Sequence, residues 1–361
     1  MKKYGFVVFL LLQILFLQFL KRNPEFVETY YSNFLYKKIS LFSRQIFGFA
    51  KFSVGDIAYA IVIIAIAVWL FFKIKTKKIF ILQIVNFISV FYFAFHLLWG
   101  YNYYRAPLAE KMEINTNYTD DELFLFTEKM IQNINKTHLL ITKKANAKVV
   151  VPYSTEQIID FSIVGYINLS KKFAYFTHQN QALKASIFSK PLSYMGFAGY
   201  LNPFTNEAQV NSEMPKYVFA MTSTHEMAHQ IGFASESECN FIGYLACIAN
   251  DDLYVRYSAE SFALRYCLRF IKIKNPLRYK QLYSKINSGI IKNYNESDDF
   301  WKAHESFVEV GFKTFYDQFL KANQQKDGLE GYGKFLNLLI GFERSEKLEI
   351  RGKKLEVRGK K

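Results

Sequence analysis

Three observations predict a membrane-anchored α+β fold: three N-terminal transmembrane helices, then a mainly helical domain with one small sheet. Apolar residues nearly saturate the first hundred positions, in three runs flanked by lysines. Amphipathic helical patterns fill most of the remaining chain. They are interrupted once, at 186–211 (SIFSKPLSYMGFAGYLNPFTNEAQVN), by a stretch rich in Gly, Pro, Ser and aromatics of the kind that forms short strands and turns. With 51% hydrophobic and 18% aromatic residues, and only 7 Pro and 17 Gly, the chain is neither disordered nor collagen-like. A purely soluble enzyme is excluded by the first hundred residues.

The first run, residues 4–20, carries no charge and lies between Lys2–Lys3 and Lys21–Arg22. The second, 57–72, is followed by Lys73, Lys75, Lys77 and Lys78, and the third begins at 79 and is placed as a span over 79–101. A span needs about 20 apolar residues, so the first two are short, and snorkelling lysines with flanking aromatics extend them. A cleaved signal peptide is a poor reading of the first run, because Lys21–Arg22–Asn23–Pro24 offers no small-residue cleavage site. Residues 1–105 thus form a membrane domain. Within it, residues 23–56 alternate aromatics with Lys37, Lys38, Arg44 and Lys51, as a surface-lying amphipathic stretch would. The positive-inside rule puts Lys2–Lys3 and the Lys73–Lys78 cluster in the cytoplasm. Everything after Arg105 then lies outside the cytoplasm.

The net charge of +15 comes from scattered lysines, span flanks and the last dozen residues. No basic stripe with spaced aromatics stands out, so the expected partner of this charge is the anionic lipid bilayer, not nucleic acid. Cys239, Cys247 and Cys267 form no CxxC and read as small buried residues.

In the second domain, residues 106–343, Thr119 followed by Asp120, Asp121 and Glu122 marks a capped helix start, and 155–176 reads as another amphipathic helix. Helices resume from Tyr217. The tail, 344–361, contains a tandem repeat (KLEIRGK, KLEVRGK) and is expected to be a disordered appendage.

The chemistry-bearing pattern is His225–Glu226–x–x–His229. Residues four apart on a helix share one face, so both imidazoles can reach one Zn2+ ion. Glu226 stands beside the first ligand without being one, and can take a proton from a metal-bound water. Gly232 can stop the helix, and Ser235 can cap the next. A catalytic zinc has three protein ligands and one open position. The third ligand is Glu236 or Glu238. Glu236 is favoured because Asn240, one turn on, could orient it, whereas Glu238 has a rival role as the acid of a Ser235–x–x–Glu238 capping box.

The segment HEMAHQIGFASESECNFIGYLAC (225–247) resembles the signature of an uncharacterised family of bacterial membrane proteins catalogued as domain of unknown function 3810. Three further stretches agree: WGYNYYR at 99–105, GYLNPFTNEAQVN at 199–211, and YDQFLK at 316–321 with the later Gly331–Tyr332–Gly333. The resemblance runs from the first span to about Phe342. Ser235 and Cys239 stand where a basic residue and Ala are expected, and neither is a proposed ligand. The resemblance implies a membrane-anchored, zincin-like fold of the Glu-ligand type.

The expectation for function is a membrane-bound zinc metallopeptidase acting on a peptide or protein substrate, with Glu226 as general base. The alternatives are a non-enzymatic membrane protein with a closed structural metal site, or a metal hydrolase acting on a non-peptide bond. An extended peptide could pair with an edge strand at 197–202. Tyr332, Tyr316 and His304 are, by residue type, candidate donors to an oxyanion.

Overall fold

A computed structural model describes residues 4–75, 81–325 and 332–359. Three helices in it are long and apolar enough to cross a membrane: Gly5–Arg22, Val54–Phe72 and Ile81–Leu98. Most of their large side chains face outward, among them Leu15, Ile63 and Phe71, as expected of surfaces that lipid covers. The third expected span, 79–101, ends earlier than expected, at Leu98. Residues 79–80 lie outside the described ones, and after Leu98 the chain tightens into a 3-10 turn, Gly100–Tyr104, that is buried throughout.

The chain between the first two spans is more than the surface-lying stretch expected. It is helical from Pro24 to Phe47, with a π-helical portion at Val27–Leu35, and its inner face is buried. Tyr36 is fully enclosed, and Glu28 pairs with both Arg105 and Lys111 at 2.8 Å. Burial alone would raise the pKa of Glu28, but the two cations outweigh it and hold the carboxyl near about 2. The outer face keeps Tyr30, Phe34, Phe42 and Phe49 exposed. This segment packs against residues beyond 105, so if the second and third apolar helices both cross a membrane, the two parts share one side of it.

The rest is a helical domain around one core. Thr119 caps helix Asp120–Thr142 as expected, in a capping box with Glu122, and Ser154 with Gln157 forms another on Thr155–Lys172. Thr155–Lys172, Leu253–Lys274 and Glu236–Ile248 surround helix Lys216–Gln230, which is buried along most of its length, and Asp120–Thr142 packs on Leu253–Lys274. The small sheet has three strands: β1 (Leu183–Ala185), β2 (Gly199–Leu201) and β3 (Ala208–Val210). Their order is β1-β3-β2, with β1 parallel and β2 antiparallel to β3. Ala208 and Val210 turn one face of β3 onto the core under helix Lys216–Gln230. The expected edge at 197–202 therefore exists as β2.

The last helix runs from Tyr332 to Gly359, so the tail expected to be disordered continues as helix to that residue. Seven-residue units rich in Lys, Leu, Glu and Arg have high helix propensity, and this outweighs their Gly. All three cysteines are buried and free, as read from their spacing.

Candidate functional site

Helix Lys216–Gln230 carries His225, Glu226 and His229, and ends where Gly232 adopts a left-handed conformation (φ 89°). The stop read from the sequence is thus present. Its turn brings the chain back so that the next helix, Glu236–Ile248, lies alongside. On that helix Glu236, Asn240 and Gly243 stand at i, i+4 and i+7, one face. A Cβ at Gly243 would come within 2.9 Å of the His225 backbone nitrogen, so only glycine permits this approach. The contact puts Glu236 beside both imidazoles.

The Glu236 carboxylate lies 3.3 Å from His225 Nε2 and 3.7 Å from His229 Nε2. Among the described residues, these three form a cluster whose ligand atoms all lie within 4.8 Å of one another. Both rings are fixed from behind. His229 Nδ1 is 2.8 Å from the Phe233 carbonyl, and His225 Nδ1 is 2.8 Å from Asn240 Oδ1. A carbonyl oxygen can only accept, so each Nδ1 donates and each Nε2 turns toward Glu236. Burial acts downward on His225, but its hydrogen bond to Glu236 and the charges of Glu226 and Glu236 outweigh it and raise its pKa. Burial keeps His229 neutral, its pKa lowered to about 4. For Glu236 burial acts upward, yet the two imidazoles and Tyr316 hold its carboxyl low, near about 2. With its ring protonated, His225 pairs with Glu236; with both rings neutral, two imidazole nitrogens and a carboxylate converge as a donor set that suits zinc.

Glu226 points elsewhere. It is 4% exposed, and Oε2 has no hydrogen-bond partner among the described residues. Burial raises its pKa to about 8. Its other oxygen faces β2: a Cβ at Gly199 would come within 2.7 Å of Glu226 Oε1, so the strand can run this close only as glycine. The base candidate and the edge strand are immediate neighbours.

Several expected roles are placed differently. Glu238 does not join the cluster. It accepts from the Leu108 backbone N–H at 2.7 Å, and Ser235 makes no side-chain cap, so the capping box is absent as well. Leu108 would otherwise bury an unpaired amide, and that requirement takes the carboxylate. Asn240 holds His225 rather than Glu236. The partner of Glu236 is Tyr316, whose hydroxyl donates at 2.7 Å. Among the donor candidates, His304 instead pairs with the Phe300 carbonyl and lies edge-on to Tyr194 and tilted against Phe300, and the side chain of Tyr332 lies outside the described residues.

The reading of the sequence missed what holds the helix end. The last carbonyls of Lys216–Gln230 have no intrahelical partners, and residues from the membrane-proximal chain supply them. Ser40 Oγ donates to Gln230 O at 2.7 Å and Arg105 Nη1 to Gly232 O at 2.6 Å. Tyr36 and Trp99 reach Gln230 O and His229 O at 3.2 and 3.4 Å. Gln230 itself ties the helix to the sheet through Ala182 O and Asn206 O. The block at 99–105 and the residues after the first span carried this signal, but no spacing rule reveals it.

Three apolar N-terminal helices, a mostly helical body with one small sheet, and an acid–imidazole cluster on two adjacent helices define a membrane-type protein with a candidate metal site. The chain belongs to the family described as "Protein of unknown function (DUF3810)", whose model matches residues 31–340. That match spans the segment after the first helix, the sheet and the cluster. No curated protein and no solved structure matches the chain.

Proposed function

We propose that the chain is a membrane-bound, zinc-dependent metallopeptidase with a zincin-like site. The observation that carries this reading is the convergence of His225, His229 and Glu236 beside a buried Glu226 whose Oε2 has no hydrogen-bond partner among the described residues. His225, His229 and Glu236 would hold the ion, leaving a fourth position open. Bound there, zinc would supply Lewis acidity, polarising a carbonyl and lowering the pKa of water toward about 7. Glu226 Oε2 would accept the proton of the attacking water and pass it to the leaving amine. Its raised pKa suits a group that must both take and return a proton near neutrality. β2 would hold the substrate backbone by strand pairing, with Gly199 bringing it against Glu226. Asn240 and the Phe233 carbonyl would keep the two rings oriented.

Lys2–Lys3 and Lys73–Lys78 are read as cytoplasmic, which makes the domain periplasmic. A reporter fused after Phe342 should then work only if it is of the periplasmic type.

The test of the function pairs metal content with turnover. Purified protein should hold about one zinc per chain. Glu226→Gln should keep that zinc and lose peptide hydrolysis, and cells carrying it should accumulate the uncut substrates. Protein without zinc, or full activity in Glu226→Gln, would overturn the reading.

A further inference from the structure

We infer that the substrates of this site are polypeptide segments lying immediately beside a membrane anchor, taken at the bilayer surface. The inference rests on the peptidase reading and adds the substrate class.

The site is built onto the ends of the spans, not held away from them. Phe204, in the turn between β2 and β3, packs on Phe91 of the third span with ring centroids 5.3 Å apart. Phe91 lies seven residues before Leu98, so at about 1.5 Å per residue this contact is about 10 Å down the helix from its end. The turn therefore reaches into the layer that the span occupies. Tyr200 of β2 stacks on Tyr59 of the second span at 6.1 Å and donates to Asp56 at the head of that helix. The edge strand beside Glu226 is thus held level with the span ends.

The opposite wall has the same character. Helix Phe307–Ala322 supplies Tyr316 to Glu236 and sets Phe319 against Phe95 of the third span at 5.9 Å. Phe319 also meets Tyr103 in the turn that leaves the span. On its outer side Phe307 is 88% exposed, and Val310 and Phe315 are each 67% exposed. Positions 307, 310 and 315 share a helix face, and Phe319 ties the same helix to the span. An apolar face continuous with membrane spans has the lipid interface as its occupant. A site whose two flanking elements both stand on the bilayer is reached most directly by an extended segment that leaves the membrane beside it, and less readily by a folded protein far from it.

The experiment uses the full chain with zinc in lipid nanodiscs or vesicles. A randomised peptide library is supplied in three forms: free, fused to a transmembrane helix through about three residues, and fused through about thirty Gly/Ser residues, whose reach is about 30 Å. The short tether should be cut at least ~10-fold faster than the long one, against the usual gain from flexible reach. Equal or faster cutting of the long-tethered or free library would overturn the inference and leave the peptidase reading standing. No cutting of any form by zinc-loaded protein would remove both. A measurement independent of activity is the depth of nitroxides at Phe307→Cys and Phe315→Cys, with exposed Leu277→Cys in the distal helices as reference. Labels at 307 and 315 should be more accessible to oxygen and less to an aqueous nickel reagent than the label at 277. Equal accessibility at all three would overturn the placement on the bilayer.

Discussion

Two clusters of buried acid and base lie near the small sheet, and they are built on opposite terms. In one, Lys184 pairs with Glu207, both nearly inaccessible, and Lys184 Nζ also donates to Phe47 O and Phe52 O at 2.8 and 2.9 Å. Glu207 in turn accepts from the first amides of the second span, Val54 and Gly55, while Asp56 accepts from Ser186, Ile187 and Tyr200. Every carboxylate oxygen there has a donor. In the other, Glu236 meets two imidazoles and the Tyr316 hydroxyl, while Glu226 Oε2 has no partner among the described residues. A saturated cluster is a joint, here locking the sheet to a membrane helix. A buried carboxylate oxygen without a donor, as on Glu226, marks a candidate functional position instead.

The comparison is broken or sharpened most by removing the imidazoles. His225→Ala or His229→Ala should abolish zinc binding, and Glu236→Ala should weaken it by orders of magnitude, each read by metal analysis of purified protein. Zinc retained in all three would make the unsaturated cluster meaningless.

Next in size is the joint. Lys184→Met leaves Glu207 buried and uncompensated, and should cost about 3–5 kcal/mol in thermal or denaturant unfolding without changing zinc content. Removing both charges, as Lys184→Met with Glu207→Leu, should recover much of that loss. Zinc lost along with the charge would mean the two clusters are not separate.

Asn240→Ala removes the acceptor that fixes His225 and should lower zinc affinity about 10–100-fold by competition with a chelator. Glu238→Ala should leave zinc untouched and lower stability by about 1–2 kcal/mol, because the Leu108 amide loses its acceptor. Zinc loss in Glu238→Ala would return that residue to the coordination shell.

The smallest expected effect is in pH dependence. The folded Glu28 carboxyl, near about 2, lies below its ordinary value of 4.5. Its contribution to stability is therefore complete above pH 4.5 and is lost as pH falls from there toward 2. Glu28→Gln should flatten the stability profile in that window and change nothing in zinc content. A profile identical to the parent chain would show that the Arg105–Glu28–Lys111 contact does not hold the segment.

The amino-acid sequence by itself determined the elements with local causes. The apolar runs predicted three helices of span length, and Thr119 with Glu122 marked a helix start, because hydrophobic length and capping act within a few residues. The i, i+4 spacing of His225 and His229 predicted that the two rings would share a face, and Gly232 predicted where that helix ends. Local rules also misled. Ser235 and Glu238 have the spacing of a capping box, yet a distant backbone amide at Leu108 claims the acid. What only the tertiary structure decided were pairings across more than one element: Tyr316 with Glu236, Asn240 with His225, Gly199 against Glu226, and the membrane-proximal Ser40, Trp99 and Arg105 on the end of the motif helix. The physical reason is that a buried polar group must find a partner wherever packing offers one, and packing brings together residues that no periodicity links.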